Sequence, residues 1–271
     1  MDLKRVVVAY FSPTGGTKKV AQALQQGFEL NQPHYEVIPF NFLTPKLRTK
    51  RTPSFTPHDL LVFVYPVFFG RMPWAFNNWP ELQGNGAQAI VVSVYGNRAI
   101  EDAERESMAF LKHHGFNILG RIEAIAEHSQ ERTLAHNRPN EQDREQLKAF
   151  AQQIISTIKQ QSELKPFSFD ESTELKAPGK APCVPFVLDK HTCDQCGRCA
   201  HACPCDIINQ DTLEVDPENT SLCMGCRACM SACPKGNRGF NEIVTQTIAQ
   251  RMAMIKAANL EPKAQILELS C

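Results

Sequence analysis

Cysteine is missing from the first 182 residues of this 271-residue chain, and all eleven cysteines follow that point. A disulfide framework for the first two thirds is thereby excluded. Net charge is missing too: 29 lysines and arginines stand against 29 aspartates and glutamates, so no overall field recruits nucleic acid or an anionic membrane. The longest apolar run, LLVFVYPVFF (60–69), is broken by Pro66 and reaches about half of the ~20 residues that a membrane helix needs. The opening MDLKRVVVAYFSPTGGT lacks the long apolar stretch and small-residue cleavage site of a secretory signal, so a cytoplasmic location is expected. Neither G-x-G-x-x-G nor G-x-x-x-x-G-K-[ST] occurs, which removes the usual dinucleotide and P-loop readings.

What is present falls into two textures. Short apolar, β-branched or aromatic runs at 4–10, 34–41, 59–65, 88–94 and 117–126 read as strands. Helical patterns lie at 17–28, 100–114 and 140–162, the last with Leu147, Phe150, Ile154, Ile155 and Ile158 at three- and four-residue steps. Their alternation predicts a doubly wound α/β domain over 1–163, with a five-stranded parallel sheet covered on both faces. Residues 164–186 are rich in proline and polar side chains and read as a linker. Two half-repeats about 30 residues apart fill 187–240, and a helix with a tail of unassigned role closes the chain over 241–271.

The half-repeats are CDQCGRCAHACP (193–204) and CMGCRACMSACP (223–234). Three cysteines at two-residue intervals, then a fourth beside proline, suit a tetrahedral zinc site poorly, since zinc draws two separated pairs. Zinc and disulfides remain the alternatives. The spacing matches the bacterial ferredoxin run, in which the fourth cysteine ligates the other cluster. Residues 187–240 thus resemble a two-cluster bacterial ferredoxin, a small α+β unit. The resemblance implies one [4Fe-4S] cluster on Cys193, Cys196, Cys199 and Cys233, and a second on Cys223, Cys226, Cys229 and Cys203. Cys183, Cys205 and Cys271 are read as uncoordinated thiols. Cys205 and the PKGNRGFNEI ending depart from the usual pattern without removing a ligand.

The first strand runs into FSPTGGTKKVAQAL, a hydroxyl-rich glycine turn opening a helix. Such a turn gathers N–H donors where the helix start adds about half a positive charge, which suits a terminal phosphate, with Ser12, Thr14 and Thr17 as hydroxyl donors. In a doubly wound sheet the loops after strands one, three and four converge. They carry Phe68, Phe69 and Trp74 around Gly70, then Tyr95, Gly96 and Asn97, a set suited to sandwiching a flat ring and bonding its edge. Plain packing is the alternative for these aromatics.

The loop Ser12-Pro13-Thr14-Gly15-Gly16-Thr17 resembles the flavodoxin phosphate loop. With Pro66–Pro73, Tyr95–Arg98 and the cysteine runs, the chain resembles the bacterial family in which a flavodoxin-like domain is fused to a two-cluster ferredoxin. That resemblance implies FMN, held by Ser12, Thr14, Gly15, Gly16, Thr17, Pro66, Phe68, Phe69, Gly70, Tyr95, Gly96, Asn97 and Arg98. His128, in an EHS stretch that the family shares, is the candidate proton relay. Arg71 and Arg98 are candidates for balancing a reduced flavin or an acidic substrate. The basic run 45–51 reads as a solvated loop, or as a docking patch for an acidic carrier.

The expected function is an electron-transfer iron–sulfur flavoprotein that reduces a small substrate at the flavin. The alternative is a carrier that hands electrons to a redox partner protein. A front domain without flavin, serving only to dock the ferredoxin, is a third reading. Residues 127–140 are expected to form a lid or wall, which favours an enzyme. No nucleic acid or membrane partner is expected.

Overall fold

The computed structural model describes residues 2–30, 34–161, 164–181 and 183–270. Cys271 and the Ser162 end of the predicted third helix lie outside the described residues. The chain opens with β1 (Arg5–Tyr10), α1 (Gly16–Glu29), β2 (Glu36–Asn41), α2 (Pro45–Arg51), β3 (Asp59–Pro66) and β4 (Gln88–Tyr95). It continues with α3 (Ala103–His113), β5 (Asn117–Ile125) and α4 (Glu141–Gln160). These strands pair in parallel in the order β2-β1-β3-β4-β5. That order is flavodoxin-like and reverses between β1 and β3, which places the ligand crevice beyond their C-terminal ends.

Period-two alternation divides each central strand between two cores. Val7, Ala9, Leu61, Phe63 and Tyr65 face one way, toward Phe11, Phe42, Phe76 and Trp79. Val6, Val8, Leu60, Val62 and Val64 face the other, against Val20 and Leu24 of α1 and Leu147 and Ile154 of α4. With both faces covered, the strands read as continuous apolar runs. The α4 start is fixed by a capping box in which the Asn140 side chain accepts from the Asp143 N–H and the Asp143 carboxylate accepts from the Asn140 N–H.

Two expectations are corrected. The basic run 45–51 is a helix, opened by Pro45 at its first position, and Arg48 is buried within it. The sheet has six strands, because the tail returns as β8 (Ile266–Leu269) and pairs antiparallel with β5.

From residue 186 the elements are β6 (Phe186–Val187), α5 (Arg198–His201), α6 (Ala228–Ala232), β7 (Arg238–Gly239), α7 (Glu242–Ala257) and the edge strand β8. β6 and β7 form a small antiparallel ladder that closes the cysteine-rich unit. The preceding stretch has no regular structure among its described residues, but it is pinned down. Phe167 N–H donates to the Ile118 carbonyl at 2.8 Å, Lys176 N–H donates to Asp102 at 2.8 Å, and Arg71 and Arg105 donate to its carbonyls. The cysteine-rich unit shares a core with the sheet: Met224, Cys226 and Ala228 are buried in the Phe11–Phe76 cluster. Among the described residues no helix is long and apolar enough to cross a membrane.

Candidate functional site

At the crevice, α1 begins on Gly15, whose left-handed φ of 95° suits glycine. Ser12 Oγ accepts the Lys18 N–H at 2.9 Å, so this hydroxyl stabilises the helix start. Among the described residues the Gly16 and Thr17 N–H groups have no internal acceptor, which leaves them free for an anion. Thr14, Gly16 and Thr17 line a cavity of about 110 Å³ with Pro66, Phe68, Phe69, Gly70, Tyr95, Gly96, Arg98 and His128. Eleven of the fourteen front-domain residues proposed from sequence therefore meet in one place. Ser12, Gly15 and Asn97 do not line it.

Asn97 is a correction, because its side chain is buried and fully used. Its amide donates to the carbonyls of Asn259 at 2.8 Å and Glu261 at 2.9 Å, and its Oδ1 accepts from Lys263 N–H at 3.0 Å. It anchors the tail that leads to β8. Arg71 is likewise turned away: it makes a bidentate pair with Glu106 at 2.7 and 2.6 Å. Trp74 donates to the Leu222 carbonyl at 3.2 Å and so ties the sheet to the cysteine-rich unit.

His128 is mostly buried and packs on Gly96, where an added Cβ would stand 2.5 Å from the imidazole Cδ2. Its Nδ1 accepts backbone N–H groups of Gln130 and Glu131 at 3.2 and 3.1 Å, which puts the single imidazole proton on Nε2. Burial, then the Arg227 guanidinium, hold the ring below its ordinary pKa. His128 is therefore a neutral hydrogen-bond donor at pH 7. Of the expected lid, Glu127, His128, Ser129 and Gln130 reach the cavities. The remainder folds back on itself through His128 N–H to Leu134 O and Glu127 pairs with Arg132 and His136.

The cysteines gather in two cavities that cross the sequence halves. Cys193, Cys196, Cys199 and Cys233 line one. Cys203, Cys223, Cys226 and Cys229 line the other, with Cys205 beside them. Among the described residues no group of three or more His, Cys, Asp or Glu side chains could hold a single metal ion; thiolates around an iron–sulfur cube stand further apart than ligands around one ion. The half-repeat is visible in the backbone. Gln195 and Gly225, Gly197 and Arg227, and Asp206 and Gly236 occupy corresponding left-handed positions, with φ between 51° and 69°. These turns direct N–H groups at sulfur: Gly225 donates to Cys223 Sγ at 3.5 Å and Asn237 to Cys233 Sγ at 3.2 Å. Cys183 lines neither of these cavities, but lies near Cys223 and lines a larger cavity beside Arg227.

Two features were not legible in the sequence. Arg238 is buried, lines the first cysteine cavity and donates to Leu213 O and Pro185 O; its charge also opposes the burial of the Cys229 thiol. Gly225 and Arg227, from the second cysteine loop, and α7 together wall a further cavity of about 520 Å³. That cavity shares Val67, Phe68, Phe69, Arg98, His128 and Ser129 with the crevice. The PKGNRGF segment signalled Arg238 as an unusual residue, whereas nothing in the sequence marked the wall.

Residues 186–234 match the family model described as a 4Fe-4S dicluster domain. A 65-residue stretch is 32% identical to the arsenate respiratory reductase iron-sulfur subunit ArrB of Shewanella sp. (strain ANA-3), covering 23% of this chain and 28% of that protein's length. Among solved structures, a flavodoxin from the domain Archaea matches 58% of this chain and 99% of its own at 15% identity and a TM-score of 0.39. A flavodoxin of Streptococcus pneumonia TIGR4 matches 57% and 99% at 16% identity and 0.37. These two likenesses add no argument to the strand order, which by itself defines the fold. The chain therefore joins a flavodoxin-like sheet to a 4Fe-4S dicluster domain, which carries iron–sulfur chemistry.

Proposed function

We propose that this chain is an electron-transfer flavoprotein with two [4Fe-4S] clusters and FMN, and that it reduces a small substrate beside the flavin. The observation that carries this reading is a shared loop: Gly225 and Arg227 line both the second cysteine cavity and the cavity above the crevice. In the reading, Cys193, Cys196, Cys199 and Cys233 hold an outer cluster, where Cys196 is exposed. Cys203, Cys223, Cys226 and Cys229 hold an inner one beside the crevice.

The crevice residues fit FMN on their chemistry. Free N–H groups at Gly16 and Thr17 and the Thr14 and Thr17 hydroxyls suit the phosphate. Phe68, Phe69 and Tyr95 offer apolar faces, and Gly70 and Gly96 leave the backbone open. FMN bound there would supply the exchange between one-electron and two-electron chemistry. His128 presents a neutral Nε2–H donor at the crevice, and Arg98 adds positive charge. α7 and the cysteine loop wall the same space. The reading also implies a reducing cytoplasm, where thiol ligands stay out of disulfides.

The carrier reading needs a flat surface over the crevice; the cavity of about 520 Å³ found there favours a substrate instead. Anaerobic purification with iron, sulfide and FMN quantification tests the cofactor set. About eight irons and one FMN per chain are expected. Zinc in place of iron, or no FMN uptake, would overturn it.

A further inference from the structure

The larger cavity is of mixed character. Its lining combines apolar side chains, Phe68, Phe69, Phe240, Met252 and Ile255, with the cations Arg98, Lys176, Arg227 and Arg251. None of its lining residues is an aspartate or glutamate. Its volume of about 520 Å³ lies within the span of small-molecule sites. Two of the cations are already matched: Glu101 pairs with Arg98 at 2.5 Å and with Lys176 at 3.3 Å. Arg227 and Arg251 are not. Among the described residues neither guanidinium makes an ion pair or hydrogen bond; Arg227 is half-buried, whereas Arg251 is exposed at the cavity's rim and stays solvated without a ligand.

A half-buried guanidinium without a partner carries a desolvation cost that an incoming anion relieves. Arg227 follows the ligand Cys226 and so also lies near cluster charge. Arg251 comes from α7, a separate element with no cysteine. Two unpaired guanidinium groups from unrelated segments converge on one cavity, which points to a ligand. Their planar forks match carboxylate geometry. The apolar part of the lining suits a hydrocarbon body and disfavours a small, fully hydrated anion.

We infer that this cavity binds an organic carboxylate with an apolar body, its anionic end on Arg227 and Arg251 and its body against Phe68, Phe69 and α7. This deepens the reading of a substrate beside the flavin, and it makes α7 part of the specificity wall.

The test is calorimetric titration of the cluster-loaded full chain, with and without FMN, using benzoate, benzamide and acetate as probes. FMN binding is measured on the same preparation. Benzoate is expected to bind at least about ten-fold tighter than benzamide, the scale of one charged hydrogen-bonded contact, and acetate more weakly than benzoate. Arg251→Gln should shrink the benzoate preference to about three-fold or less, and Arg251→Lys should restore part of it. Arg227→Gln should act in the same direction, with iron content measured to separate cluster loss from lost anion binding. Equal affinity for benzoate and benzamide, or a preference untouched by Arg251→Gln, would overturn the inference while leaving FMN binding intact. Failure of FMN to bind, with benzoate selectivity retained, would overturn the flavin reading alone.

Discussion

Arg48 Nη2 donates to the Pro204 carbonyl at 3.0 Å, one residue from Cys203, which lines the second cysteine cavity. The same guanidinium donates to the carbonyls of Phe42, Leu43 and Ala75 at 2.8 to 3.1 Å. A single buried cation thus fixes the end of β2, the connection between β3 and β4, and the end of the first cysteine run together. Burial draws its pKa down to about 10, still far above neutrality.

Replacing Arg48 should therefore loosen the junction. Arg48→Met leaves these carbonyls short of donors and is expected to cost about 3 kcal/mol, the scale of lost hydrogen bonds to a buried charge. Arg48→Lys should recover little, because an ammonium lacks the planar fork. Denaturant midpoints and limited proteolysis between the two units would measure this; unchanged midpoints would remove Arg48 from the junction.

Gly96 and His128 define a second contact. A Cβ at residue 96 would stand 2.5 Å from His128 Cδ2 and 2.7 Å from its Cα, so neither a rotamer change nor a small shift accommodates it. Gly96→Ala should weaken FMN binding by about ten-fold or more, through displacement of the loop after β5. Fluorescence titration of FMN reads this directly; affinity equal to that of the native chain would remove the Gly96–His128 contact from the site.

The lowered pKa of His128 gives a pH dependence with a fixed sign. The unfolded chain takes up this proton near pH 6.5, whereas the folded chain resists it. The associated stability is complete above pH 6.5 and is lost as pH falls through the folded value. Between pH 7.5 and 5.5 the native chain should lose more stability than His128→Gln. Parallel pH profiles for the two proteins would contradict this.

Cys203 and Cys205 flank Pro204 and line the same cavity. The crossed ligand set assigns the cluster to Cys203 and leaves Cys205 to packing. Cys203→Ala should lose about half of the iron, and Cys205→Ala should retain nearly all of it. The reverse pattern, read by iron content and electron paramagnetic resonance, would reassign the fourth ligand.

The parts that were legible in the sequence are those encoded by local pattern. Val6–Ala9 and Leu60–Tyr65 announced buried parallel strands, the Thr14–Thr17 turn announced the start of α1, and the cysteine spacing announced the two groupings that cross the half-repeats. The parts that were not legible depend on distant partners. An arginine in a basic run looks solvated until Ala75 and Pro204 supply acceptors, as Arg48 shows. Asn97 resembled a flavin-edge residue because its loop position is right, yet its amide is spent on Asn259 and Glu261. β8 is four residues long and lies at a sheet edge, too brief for a periodic signal. Gly120 leaves room for it: an added Cβ there would stand 3.0 Å from Leu269 Cα.

The central claim is that one polypeptide carries two clusters and FMN as a single electron-accepting unit. Anaerobic reductive titration of the loaded chain, followed by visible absorption and electron paramagnetic resonance, tests it most directly. Uptake of about four electrons per chain is predicted, one at each cluster and two at the flavin. Uptake of two or fewer, with either the flavin or the cluster signals silent, would contradict it.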